Sequence, residues 1–143
     1  MRAASSAAGR LSAAALALLL AGCPSAPEHA GQGAATIVGP VWVAEAIAGT
    51  PAGDAPITLQ LGADGRASGR GGCNGYGGLY TLAGDALHFG GLASTRMACA
   101  PALMDQEQRY FDALAKVTHY AVADDGALLL ETGEGKEIRL RRE

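Results

Sequence analysis

GRGGCNGYGGLY at residues 69–80 and STRMAC at residues 94–99 decide how this chain is read: they hold six closely spaced glycines and the cysteines Cys73 and Cys99. Glycines next to a thiol invite a phosphate cradle as one reading and a cramped chain path as the other. The cradle fails on spacing. Asn74 stands where GxGxxG requires its third glycine, and no GxxxxGK[ST] occurs anywhere in the chain. The stretch is therefore read as structural, a path needing positive φ or close backbone approach. Asn74-Gly75 is expected to make a tight turn, with Tyr76 and Tyr80 packed around it.

The flanking sequence has the period of short strands. Upstream, VWVAEAI begins with β-branched and aromatic residues, and Trp42 is the single tryptophan, expected as an apolar anchor. In PITLQL, Ile57, Leu59 and Leu61 alternate with Thr58 and Gln60, the mark of a half-buried strand. The turn ADGR at 63–66 then sends the chain back through residues 66–71. Downstream, residues 79–82 and 86–89 form a second pair. Strands at 118–123, 127–131 and 136–141 finish the chain, with Asp125-Gly126 and GEG at 133–135 as turns.

Between these sets the period becomes helical. Pro101 suits a helix start, Asp105 and Glu107 suit the positive end of its dipole, and Leu103, Tyr110, Phe111, Leu114 and Val117 supply an apolar stripe. An amphipathic helix is expected over about residues 101–117. The fold class that follows is mostly β (α+β): a small antiparallel, barrel-like domain of about eight short strands carrying that one helix.

The first 39 residues are of a different kind. Residues 1–22 carry Arg2 and Arg10, then an apolar run from Leu11 to Ala21, which is the grammar of a secretory signal and too short to span a bilayer as a helix. Leu20-Ala21-Gly22-Cys23 resembles the bacterial lipobox, in which the cysteine thiol is acylated and the chain is cut just before it. The mature protein is thus expected to begin at lipidated Cys23, held in the membrane by two or three acyl chains. Residues 24–39 are rich in Pro, Gly, Ala and Ser and are read as a flexible tether. The domain proper is placed at 40–143. Pro24 follows Cys23 in place of the aspartate associated with inner-membrane retention, which points to the outer membrane and the periplasm.

Loss of Arg2 and Arg10 leaves 9 basic residues against 14 acidic ones, a net charge of −5. With no basic patch interleaved with aromatics, nucleic acid is excluded as a partner. His88 and His119 fall on strand positions turned from the core and have no Cys or His at ligand spacing, so no metal is expected. Ser68, Ser94 and Thr95 lack the surroundings of a nucleophile, Asp124 and Asp125 sit in a turn, and no catalytic residue or cofactor is assigned.

Cys73 and Cys99 leave two chemistries open. Export favours a disulfide, and closing a loop of this size stabilises by roughly 3.5 kcal/mol in the chain-entropy picture. Alternatively Cys99, just before a helix start and close to Arg96, has the setting of a low-pKa reactive thiol.

Taken together, Trp42, GRGGCNGYGGLY, LHFGGLASTRMAC at 87–99, QEQRYFDAL at 106–114 and the terminal strands resemble the META domain, also called the HslJ-like domain, in the right order over residues 40–143. The resemblance implies a compact β-rich fold with one helix, frequent export as an envelope lipoprotein and an association with heat or envelope stress. It brings no catalytic role to any residue. The function expected first is a non-enzymatic, membrane-tethered envelope domain that aids stress tolerance by binding a protein partner or small ligand. Its interaction surface is expected at Ser94, Thr95 and Arg96. Second stands an inhibitor of a secreted hydrolase such as a lysozyme, and third a thiol redox protein using Cys99.

Overall fold

The computed structural model describes residues 37–143. The signal segment, Cys23 and the tether as far as residue 36 lie outside the described residues. In chain order the elements are β1 (Val41–Ile47), β2 (Thr50–Pro51), β3 (Thr58–Leu61), β4 (Arg66–Arg70), β5 (Gly75–Ala83), β6 (Ala86–Ser94), α1 (Pro101–Leu114), β7 (Val117–Val122), β8 (Leu128–Thr132) and β9 (Glu137–Arg142). All strand pairs are antiparallel. Neighbours run β1, β3, β4, β5, β6, β7, β8, β9 and back to β1, so eight strands close a barrel while β2 adds a short ninth to β1. The expected fold class is the one found.

Alternation builds the interior. Trp42 and Ala44 of β1, Leu59 and Leu61 of β3, Leu128 and Leu130 of β8, and Ile138 and Leu140 of β9 point into one apolar cluster. A bulge between Ala44 and Ala46 resets the phase of β1, so that Ile47 rather than Ala46 faces inward. The Asp-Gly turns behave as their chemistry demands, with Gly65 at φ 78° and Gly126 at φ 82°.

Four boundaries depart from the sequence expectation. The glycine-rich run ends β4, makes the reversal at residues 71–74 and opens a nine-residue strand, β5, paired with an equally long β6. Its reversal lies at Gly72 and Cys73, not at Asn74-Gly75: Gly72 has φ 116°, and the Gly71 N–H reaches the Asn74 carbonyl at 2.8 Å. The helix stops at Leu114, and Val117 opens β7, because its β-branched side chain is used in the sheet. Finally Ile37, placed in the tether on composition, is completely buried, and its carbonyl accepts the Trp42 Nε1–H at 3.0 Å. Apolar bulk at the barrel mouth outweighs the polar, flexible neighbours that suggested a linker.

The chain therefore enters at one end of the barrel, by Trp42. The β6-to-β7 connection, which contains α1, lies across the other end. That crossover also leaves a thin seam: β6 and β7 share one paired position, Ala86 with His119, supported by a bond from the Tyr120 N–H to the Asp85 carbonyl at 2.9 Å.

Candidate functional site: the helix end of the barrel

At the helix end, the two motifs that frame β5 and β6 meet α1. Cys73 and Cys99 are joined in a disulfide with Cα atoms 6.2 Å apart, so Cys99 carries no free thiol. Next to it, Glu107 is almost completely buried and takes part in no salt bridge among the described residues. Its two carboxylate oxygens instead accept hydrogen bonds from the Asn74 N–H and the Asn74 side-chain amide, both at 2.6 Å. Asn74 Oδ1 in turn accepts from the Thr95 hydroxyl at 2.9 Å and the Met97 N–H at 2.7 Å. A single buried asparagine thus links the helix, the reversal at residues 71–74 and the STRMAC segment. Fully satisfied networks of this sort select one packing, since any broken member leaves a desolvated polar atom.

Gln106 works beside it in the other direction. Its Oε1 accepts from the Gly53 N–H and its Nε2 donates to the Ala55 carbonyl, each at 3.0 Å, holding the loop between β2 and β3. The side chains sharing this helix face, Tyr110 and Leu114, enter the core. The Tyr110 and Tyr76 hydroxyls lie 2.6 Å apart, and Tyr76 also donates to the Thr58 carbonyl at 3.0 Å. Burial pushes both phenols up, strongly so for Tyr110. Phe111 packs edge-on to Tyr76 with ring centres 5.3 Å apart.

The glycines are explained by this crowding. A Cβ on Gly71 would stand 2.8 Å from both Glu107 Cγ and Phe111 Cζ, and one on Gly78 would stand 2.9 Å from the Gly90 carbonyl oxygen. The run is short of side chains because α1 and β6 occupy that space, which bears out the structural reading over the phosphate cradle.

Ser94, Thr95 and Arg96 are exposed and continuous with exposed Met97 and Ala98. The segment is solvent-facing yet fastened, by the Thr95 N–H to the Gly75 carbonyl at 3.0 Å, by the two bonds to Asn74 and by the disulfide. Beside it a groove of about 230 Å3 opens between β6 and α1, bordered by Tyr76, Leu92, Ser94, Phe111 and Asp112. His88 and His119 are exposed on the barrel wall. Among the described residues no three His, Cys, Asp or Glu side chains are grouped to hold a metal ion.

Sequence reasoning brought Cys73, Cys99 and residues 94–96 to this end but passed over Asn74, Gln106 and Glu107 as anchors. The available signal was spacing: 106 and 107 precede Tyr110 by four and three positions and so share its helix face.

The geometry has counterparts elsewhere. A protein from Burkholderia xenovorans solved by NMR is 33% identical, with a TM-score of 0.62 over 77% of this chain and 87% of that one. A second NMR structure is 26% identical, with a TM-score of 0.57 over 71% of this chain and 87% of its own. No curated protein matches the chain. The META domain family matches residues 35–143, an interval that takes in buried Ile37, all nine strands and the disulfide-fastened helix. The chain belongs to the META domain family.

Proposed function

We propose that this protein is a non-enzymatic envelope lipoprotein, anchored through Cys23, whose barrel holds a binding surface away from the membrane and so contributes to stress tolerance. One observation carries the reading: residues 94–98 are exposed at the end of the barrel opposite the one where the chain enters, while their backbone is fixed by the disulfide and Asn74. A rigid exposed segment binds without the entropic cost of ordering a loop. Glu107, the acid nearest this segment by hydrogen bonding, is buried with both carboxylate oxygens taken up by Asn74. A lipid tether at the far end would turn residues 94–98 toward the periplasm.

A photoreactive residue at position 96 of the lipidated protein in living cells is expected to give a discrete adduct, and one at exposed Val122, at the opposite end, is not. Equal labelling at both positions, or none at 96, would end the proposal. The same pinned segment also suits blocking the cleft of a secreted hydrolase. Purified protein that leaves lysozyme activity unchanged at micromolar concentration removes that second reading for this enzyme class.

A further inference from the structure

We propose that the edge of β6 beside α1 is a docking site for an extended segment of a partner protein, which joins the sheet as a strand and sets a basic side chain against Asp112. The proposal rests on the reading of the domain as a binding module and gives that module a class of partner. Backbone direction supplies the first argument. The Tyr80 N–H turns to the Gly65 carbonyl, on the β4 side, at 2.9 Å, so Tyr80 and its opposite residue Phe89 form a pair that is not hydrogen-bonded. The N–H and C=O of Phe89 therefore face away from β5. At the other end of β6, the Thr95 N–H bonds the Gly75 carbonyl and Ala93 lies opposite Gly77, so alternation turns Leu92 and Ser94 outward as well. Because β7 pairs with β6 at Ala86 and no farther, no strand meets these groups.

Such an edge recognises main chain, and the charged and proline residues that usually protect one are missing. ALHFGGLAS contains no Lys, Pro or acidic residue, and its one interruption is the bulge at Gly91, with φ 59°. The groove along it supplies the second argument. Tyr76, Leu92 and Phe111 give it an apolar floor, and its volume of about 230 Å3 suits one or two small apolar side chains. Asp112 stands exposed on the far wall, where its Oδ1 accepts from the Gln108 side-chain amide at 2.8 Å, and it takes part in none of the described salt bridges, Lys116 being paired with Glu134 at 2.9 Å. A cation on the incoming chain is its natural complement.

That far wall also selects the occupant. A strand already built into a second barrel brings neighbouring strands that would run into α1. A single extended segment passes between β6 and the helix.

The test uses the full-length chain in detergent and, as probe, bead-displayed capped hexapeptides with one fixed lysine. With the tightest peptide bound, amide exchange at Phe89, Leu92 and Ser94 is expected to slow at least about tenfold, as added strand hydrogen bonds require. Ser94→Pro deletes an outward N–H without touching the β5 ladder, and Asp112→Lys reverses the wall charge on an exposed site. Each is expected to weaken binding about tenfold while the melting temperature of the free protein stays unchanged. Failure of every hexapeptide to bind at 1 mM, on the order of the weakest useful affinity, overturns the proposal. So does edge protection already present in the free chain, which would mean a second copy or the preceding segment covers β6. Peptide binding that maps to residues 96–98 and ignores both substitutions sinks the edge proposal while leaving the binding-module reading intact.

Discussion

At the end where the chain enters, Ile37 and Trp42 close the barrel with apolar bulk, helped by a single indole hydrogen bond and by the Arg142 guanidinium 5.5 Å over the Trp42 ring. At the opposite end α1 is fastened by directional bonds: the disulfide, the Glu107–Asn74 pair, the Gln106 clamp and the two tyrosine hydroxyls. The first closure depends on area removed from water and tolerates no loss of volume. The second depends on pairing, so its cost on breakage comes from stranded donors and acceptors. What the contrast teaches is that the presented segment is attached to the half of the molecule whose shape is specified bond by bond.

Breaking the apolar closure should cost most. Trp42→Ala is expected to remove about 3–5 kcal/mol, the usual range for emptying a buried aromatic site, seen as a lower urea midpoint with the disulfide still formed. A change under about 1 kcal/mol would show that Ile37 and its neighbours collapse into the space, contrary to a mouth plugged by bulk.

Removing the bridge is next. Cys73→Ser with Cys99→Ser is expected to lose roughly 3.5 kcal/mol and to speed amide exchange across residues 94–99 more than across β8 and β9. Uniform acceleration throughout the barrel would erase the distinction between the two ends.

Glu107→Gln keeps the side-chain shape but sets an NH2 against one of the donors of Asn74. Loss of a charge-assisted acceptor in a buried site predicts about 1.5–3 kcal/mol. Thermal unfolding of the variant beside the wild type measures it, and an unchanged midpoint would mean that Asn74 finds other partners.

The smallest effect at neutral pH, and the clearest separator of the ends, is alkaline. Burial raises Tyr76 and Tyr110 above the ordinary phenol value of 10.0 in the folded state. Below pH 10 or so both folded and unfolded chains hold these protons, so the pair gives no pH dependence there. Above it the unfolded chain releases them first, and stability falls by about 1.4 kcal/mol per pH unit for each tyrosine. Phenolate absorbance should therefore rise together with unfolding of the helix end, and two tyrosines ionising freely in the folded protein would contradict the buried hydroxyl pair.

Much of the barrel was legible because its rules are local. The alternation in PITLQL, the Asp-Gly turns at 64–65 and 125–126 and the stripe of Tyr110 and Leu114 each fix an element from a few residues. The glycine-rich strand was not legible in that way. Glycine lowers strand propensity, and the glycines are there because α1 leaves no room for a side chain at Gly71, before β5, and β6 leaves none at Gly78, within it, a fact settled by residues 12–40 positions away. Gln106 and Glu107 were hidden for a related reason. Polar residues on a helix normally face water, and only the arrival of Asn74, Gly53 and Ala55 makes their burial affordable. At the candidate site, the motif cysteines could be paired from sequence as one of two options, whereas the groove beside β6 exists only because α1 interrupts the sheet.

The pairing of β1 with β9 places Val43 opposite Arg141, nearly the whole described chain apart. During synthesis or export from the N-terminus, the first strand has to wait for the last before the barrel can shut. The β5–β6 hairpin needs no such wait, and its cysteine partner at position 99 emerges about 40 residues before β9. Loop closure favours that nearer contact. The topology thus sets local closure apart from ring closure: the hairpin and the helix need only near neighbours, whereas the barrel shuts only when β9 reaches β1.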